Sequence, residues 1–245
     1  MKQKLETALL LFLFLTVTLQ LKAQFNYLPV KKGNEQIVKH KYYSLSYNEN
    51  WEQASWVAYE LNPQTISGTT KRSNNFRTDP MVSSRSASLK DYSKSGYDRG
   101  HLLPAASMKF SKEAMSETFY MSNMSPQKPY FNRGIWKKLE AQVRSWVNRY
   151  GKLYVVTGPI IKQTEQKIGP NKVIVPQAYY KVIWNPKQKK GIAFLLKNEK
   201  SSEPLSHFAV SIDKVEQETG IDFFPALPDP LEEEIEKQYQ KAAWF

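Results

Sequence analysis

The sequence predicts an α+β fold, a mixed layered α/β/α single domain, and three observations predict it. "LYVVTGPII", "AYYKVIWN" and "GIAFLLKN" are apolar, β-branched or aromatic runs bounded by Gly, Pro and Asn, the pattern of core strands. Helical patterns stand on both sides of these runs in the sequence, which suits strands covered by helices. The chain has 245 residues, 41% hydrophobic and 13% aromatic, enough for one well-packed core. No linker, repeat or low-complexity block divides it.

Taken in order, "KYYSLSYN" and "ASWVAYEL" alternate polar with aromatic or aliphatic residues and read as two early strands. From Asn62 to Tyr97 the text is turn-rich and basic, a long surface excursion of the kind that is often functional. "KEAMSETF" reads as a short helix capped by Ser111, and "TFYMSNM" as a strand. A helix runs from Asn132 to Arg149. On a wheel of about 100° per residue, Ile135, Trp136, Leu139, Val143, Trp146 and Val147 fall in one core-facing arc, with Glu140 and Arg144 at its margin. "SIDKVEQETG" is a helix capped by Ser211 and stopped by Gly220. "DPLEEEIEKQYQKA" opens another, with Asp229 as cap and Pro230 in the first turn.

The first 24 residues read as an address. "MKQK" is a short basic start, "ALLLFLFL" an apolar core and "LKAQ" a small-residue exit. We expect an export signal over residues 1–24, a periplasmic or secreted destination, and a domain over 25–245. The alternative is an uncleaved membrane anchor, although Thr16, Thr18 and Gln20 dilute the apolar run. Formal charge is +12 and the sequence pI about 9.5, a balance that favours polyanion partners. The chain has no cysteine, which excludes disulfides, thiolate metal sites and cysteine nucleophiles. It also lacks "HExxH", "GxSxG" and nucleotide-binding glycine loops.

The residues "YDRGH" at 97–101 fit no helix or strand pattern well. His101 titrates near neutrality and can take a proton from water, or it is a structural histidine. On a strand, Arg99 would share its face and could clamp a phosphate, while Gly100 permits close backbone approach. Asn132, after Pro126 and Pro129, reads as a helix cap or as a hard oxygen ligand for magnesium. Glu140 lies about 12 Å further along the axis, so it could reach a metal-bound water rather than the ion itself. Glu140 and Arg144 also have the spacing of an ordinary surface ion pair. His40 and His207 have no comparable neighbours and read as structural or exposed.

"SGYDRGHLLPAASM", "FYMSNMSPQ", "FNRGIWKKLEAQVR", "YVVTGP" and "TGIDFFPALPD" resemble the non-specific DNA/RNA endonuclease family, which includes mitochondrial endonuclease G and secreted bacterial nucleases. The resemblance runs from Tyr43 to Asp229, and several spacings agree at once: nine residues from Asn123 to Asn132, eight to Glu140, four to Arg144. It implies a ββα-metal finger at the active site. His101 is then the general base, Asn132 the direct magnesium ligand (with manganese as substitute), and Glu140 the support of the hydrated ion. Arg99, Arg144 and Arg72 match phosphate-binding arginines, with Arg77 near enough to compete with Arg72. Asn123 matches a residue that positions the histidine, and Asp98 stands behind the reacting groups.

The implied chemistry is phosphodiester hydrolysis in DNA and RNA, giving 5′-phosphate and 3′-hydroxyl ends. Expected partners are the nucleic acids, no stable membrane partner and, as a further option, a second copy of the chain. The competing expectation is a secreted basic module that binds nucleic acid without turnover. The nuclease reading requires His101 and Asn132 to converge in an open, positively lined groove.

Overall fold

The structure, a computed structural model, describes residues 27–31, 33, 35–162, 166–237, 239 and 241–245. The run read as an export signal or membrane anchor lies outside the described residues. No helix among the described residues is long and apolar enough to cross a membrane.

The strands are β1 (Val30–Lys31), β2 (Gln36–Lys39), β3 (Ser44–Asn48), β4 (Gln53–Leu61), β5 (Asp98–His101), β6 (Met124–Gln127), β7 (Leu153–Ile160), β8 (Lys167–Ile168), β9 (Val173–Ile174), β10 (Ala178–Asn185), β11 (Lys190–Lys197), β12 (Ala209–Val210) and β13 (Ile221–Asp222). The helices are α1 (Pro63–Ile66), α2 (Leu89–Tyr92), α3 (Lys112–Glu117), α4 (Pro129–Phe131), α5 (Lys137–Tyr150), α6 (Ile212–Thr219), α7 (Asp229–Lys237) and α8 (Lys241–Trp244).

Seven strands form one antiparallel sheet in the order β12-β11-β10-β7-β4-β3-β2. The three runs expected as core strands lie side by side in it. Their alternation divides the core in two, because successive side chains on a strand point to opposite faces. On β10, Tyr179 and Ile183 join Trp136, Leu139, Val143, Trp146 and Val147 on the face that α5 covers. Tyr180, Val182 and Trp184 join Ile212 and Val215 of α6 and Ile235 of α7 on the other. The layered α/β/α arrangement expected from the sequence is the one observed.

The stripe expected on α5 is buried throughout. Its helix ends at Gly151, whose φ of 86° is the positive backbone angle glycine accepts. Ser111 and Ser211 cap their helices through the backbone N–H groups of Ala114 and Lys214.

Four local expectations differ. "TFYMSNM" is not a strand: Met121–Asn123 is a tight 3-10 turn, and pairing starts at Met124. Asn132 is not the N-cap of a helix, since α4 already precedes it and its own dihedrals are helical. It opens a π-turn over Asn132–Trp136, broken at Gly134. The excursion from Asn62 to Tyr97 is not wholly superficial, because Asp79, Val82, Ser86, Ala87, Asp91 and Tyr92 are buried. Asp229 stands inside the first turn of α7, where the Pro228 carbonyl accepts the first helical bonds.

Trp146 ties α5 to the chain end: its Nε1–H donates to the Trp244 carbonyl at 2.6 Å, and the two indoles meet edge to face at 4.9 Å. Trp146→Ala is expected to lower unfolding free energy by about 3–5 kcal/mol in urea titration. An unchanged midpoint would remove Trp146 from the core.

Candidate active site

β5 and β6 form a two-stranded hairpin that leads through α4 into α5, a β-β-α unit laid against the large sheet. Its anchoring is polar. Tyr179 of β10 donates to the Pro126 carbonyl at 2.8 Å, and the Asn198 amide donates to the same oxygen at 3.1 Å. Ser125 meets Gln53 at 2.6 Å and the Tyr179 hydroxyl at 2.7 Å. The Gln127 side chain packs directly over Gly100, where a Cβ would come within 2.2 Å of it. "DRGH" is therefore a strand despite its unpromising pattern, and Arg99 and His101 share one face of it.

Asn123 holds the turn after His101. Its side chain is fully buried, accepts from the Leu103 N–H at 2.8 Å, and donates to the Leu103 and Thr118 carbonyls at 3.0 and 2.8 Å. Its own carbonyl accepts from the Leu102 N–H at 3.0 Å.

Asp98 joins the hairpin to the helix. The Asn132 amide donates to Asp98 Oδ2 at 2.9 Å, and Arg133 donates to both carboxylate oxygens, at 2.9 and 2.6 Å. These hydrogen bonds and the Arg133 charge hold the Asp98 carboxyl below its ordinary range against the opposing effect of burial. A carboxylate can only accept, so the NH₂ end of Asn132 must face it. The amide oxygen is left for the groove.

Glu140 and Arg144 do not form the ordinary surface ion pair. No ion pair joins them among the described residues. Glu140 is half-buried, and one guanidinium nitrogen of Arg144 is buried without a partner. The pair instead faces Lys181, a buried lysine of β10 whose Nζ donates to Thr157 at 2.6 Å and Tyr59 at 3.2 Å, 4.8 Å from the Trp136 ring centre. Burial pushes the Glu140 carboxyl up, against the pull of Lys181, Arg144 and Arg72. Burial pushes the Lys181 ammonium down, against the pull of Glu140. Sequence reading missed Lys181. The available signal was its parity: it shares a strand face with the core residues Tyr179 and Ile183.

His101 is only 8% exposed. Phe76 and Phe119 flank its ring at 5.9 and 4.9 Å. The Arg99 and Arg72 guanidiniums lie over those two rings, at 4.2 and 4.7 Å. The expectation of an imidazole open to the groove is thus corrected: aromatic rings and the arginines stacked on them cover it. Nε2 of the ring is buried with no hydrogen-bond partner. Burial, then the Arg72 and Arg99 charges, pull the imidazole pKa down to about 3.

Arg72 is exposed and, among the described residues, hydrogen-bonds its neighbour Asn74 at 2.8 Å. Arg77 is committed elsewhere, to the Asn75 and Ser116 carbonyls and the Tyr120 ring. Arg72 is therefore the arginine available to a ligand. A groove of about 630 Å³ runs between Arg72, Asn74, Phe76, Asp98, Arg99 and Asn132, with residues of the Leu89–Tyr97 stretch as its far wall. Asn132 lines it, while His101 lies behind the Phe76 side. His40 is structural, paired with the buried Asp79 at 2.8 Å, and His207 is exposed.

The sequence matches the family described as DNA/RNA non-specific endonuclease over residues 22–230. Bovine mitochondrial endonuclease G is 36% identical over 212 residues, covering 80% of this chain and 71% of that protein. Nuclease C1 of Cunninghamella echinulata var. echinulata is 37% identical over 204 residues, covering 76% and 81%. A chain in the crystal structure of the EndoG/EndoGI complex superposes with a TM-score of 0.74 at 32% identity, covering 80% of this chain and 89% of that one. Most of the similar proteins are mitochondrial by name, which overturns the periplasmic or secreted destination expected from the N-terminal run. A basic start and an apolar run are read by a receptor, and neither charge nor hydropathy names a compartment by itself. With the family match spanning most of its length and relatives above the 30% level on every side, the chain belongs to the DNA/RNA non-specific endonuclease family and is an endonuclease, a hydrolase.

Proposed function

We propose that the protein hydrolyses phosphodiester bonds of DNA and RNA with little sequence preference, using His101 as general base and leaving 5′-phosphate and 3′-hydroxyl ends. One observation carries this reading: an imidazole whose Nε2 is buried without a partner, set beside Arg72 and Arg99. Nε2 would take the proton of the attacking water. A phosphate bound by the two guanidiniums would offset the charges that depress the imidazole, so its basicity rises as substrate arrives. Drawing Arg72 from the Phe119 ring onto that phosphate would also uncover the ring.

The residues fit a hard divalent cation, magnesium or in its place manganese. The Asn132 amide oxygen, left over by the bond to Asp98, would hold it directly, and Glu140 would hold its water. Bound there, the ion supplies charge compensation to the phosphate and the departing 3′ oxygen. Arg72, Arg99 and Arg144 complement the remaining charge, and Arg144 brings an N–H that is buried without a partner. Asn123 acts through the Leu102–Leu103 backbone as a positioning residue. A groove of guanidiniums and amides recognises phosphate rather than base edges, which favours tolerance of sequence and sugar.

His101→Ala is expected to reduce plasmid cleavage by about 10²–10⁴-fold while DNA binding persists. Full turnover in that variant would exclude the assigned base. Asn132→Ala should shift the magnesium titration of cleavage to higher concentration; a superimposable titration would remove Asn132 as ligand. Wild-type protein that retains plasmid on a gel, with or without EDTA, and makes no new ends would be a binding module instead.

The depressed imidazole also shapes stability. In the unfolded chain His101 protonates near pH 6.5, and in the folded chain near 3. Between those values the unfolded state binds the extra proton, so stability rises with pH and is fully present above about 6.5. His101→Asn should flatten the rise of urea-unfolding free energy across this window by on the order of 1 kcal/mol per pH unit. An unaltered slope would mean the ring is not buried neutral.

A further inference from the structure

A second group of carboxylates lies on the opposite face of the sheet. Asp213 and Glu216 stand on α6 and Glu236 on α7, and an oxygen from each lies within 4.8 Å of the others. Glu236 is 8% exposed, and its Oε1 is buried with no hydrogen-bond partner. The largest charge effects on it come from other acids: Glu216, Glu232, Asp213 and Asp222. Burial and this repulsion push its carboxyl up to about 9, and that of Glu216 to about 7. The lysines of the same helices are turned to other partners, Lys214 to Glu218 at 2.9 Å and Lys237 to Glu233 at 3.0 Å.

The backbone holds these groups together. The Ile235 carbonyl stands 2.4 Å from where a Cβ on Gly191 would be, so α7 is pressed directly onto β11. The Phe223 N–H donates to Glu216 Oε1 at 2.8 Å and fixes that carboxylate from the other side. An unpaired acid buried among acids is costly unless a proton or a cation compensates it.

We propose that Asp213, Glu216 and Glu236 form a calcium site that clamps α7 to α6, separate from the groove. The donors are all carboxylate oxygens, with no histidine or cysteine to favour zinc or copper. Among hard cations, calcium accepts irregular, carboxylate-rich sites, whereas magnesium demands near-ideal octahedral geometry and keeps most of its waters.

The test uses the full chain carrying Asn132→Ala, which weakens the proposed groove site, stripped with chelator and titrated with calcium chloride by calorimetry and thermal unfolding. One calcium should bind and raise the melting temperature by roughly 5 °C at saturation, with magnesium chloride giving a smaller shift. Adding Glu236→Gln or Asp213→Asn should weaken binding by about tenfold or more. Asp213 is half-buried, so that variant keeps the test open if the Glu236 variant fails to fold. No calcium binding in the Asn132→Ala protein, or equal binding in the Asp213→Asn protein, overturns the proposal. A Glu236→Gln chain that is stabilised, from a parent blind to calcium, would show that protons alone compensate the cluster.

Discussion

The hydrogen bond from Asn132 to Asp98 is the contact on which the site's arrangement depends. It spans 34 residues of sequence and joins the first strand of the hairpin to the helix that follows it. An amide has a donating end and an accepting end, and a carboxylate partner decides which one remains free. The local backbone is shaped to allow this. A π-turn with a non-helical break at Gly134 interrupts the helical path where Asn132 and Arg133 both turn to Asp98. Such turns cost regular hydrogen bonding and are frequent at functional sites.

Burial gives the same site its electrostatic character. His101, Lys181 and part of Arg144 are removed from water and Glu140 is half-buried, so charges act on one another more strongly here than at the surface. Positive groups outnumber negative ones around Glu140, and the Arg72 and Arg99 charges also depress the histidine.

The two faces of the sheet divide the acids of a basic chain. Asp98 and Glu140 lie among arginines and a lysine on the α5 side. Asp213, Glu216, Asp222, Glu232 and Glu236 repel one another on the α6–α7 side. The first group is compensated by the chain itself. The second is not.

Much of the fold was legible in residue order. Strand alternation and the helix stripe depend on periods of two and 3.6, which are local properties, and β7, β10, β11 and α5 followed them. The spaced letters of "DRGH", "FNR" and the helix after them likewise marked His101, Asn132, Glu140 and Arg144 before any coordinates. What sequence could not show is who faces whom. Lys181 looked like one polar residue in a core strand until folding brought its charge to bear on Glu140. Arg72 was the chosen upstream arginine with Arg77 close enough to compete, until Ser116 and Tyr120 engaged Arg77. His101 was expected in the open, and two aromatic rings from elsewhere in the chain cover it. The sequence alone determined the layered class, because strand and helix periods are local, and its spaced motifs carried the resemblance to the family. Only the tertiary structure decided protonation, exposure and pairing, because those depend on distances between residues that the chain order keeps far apart.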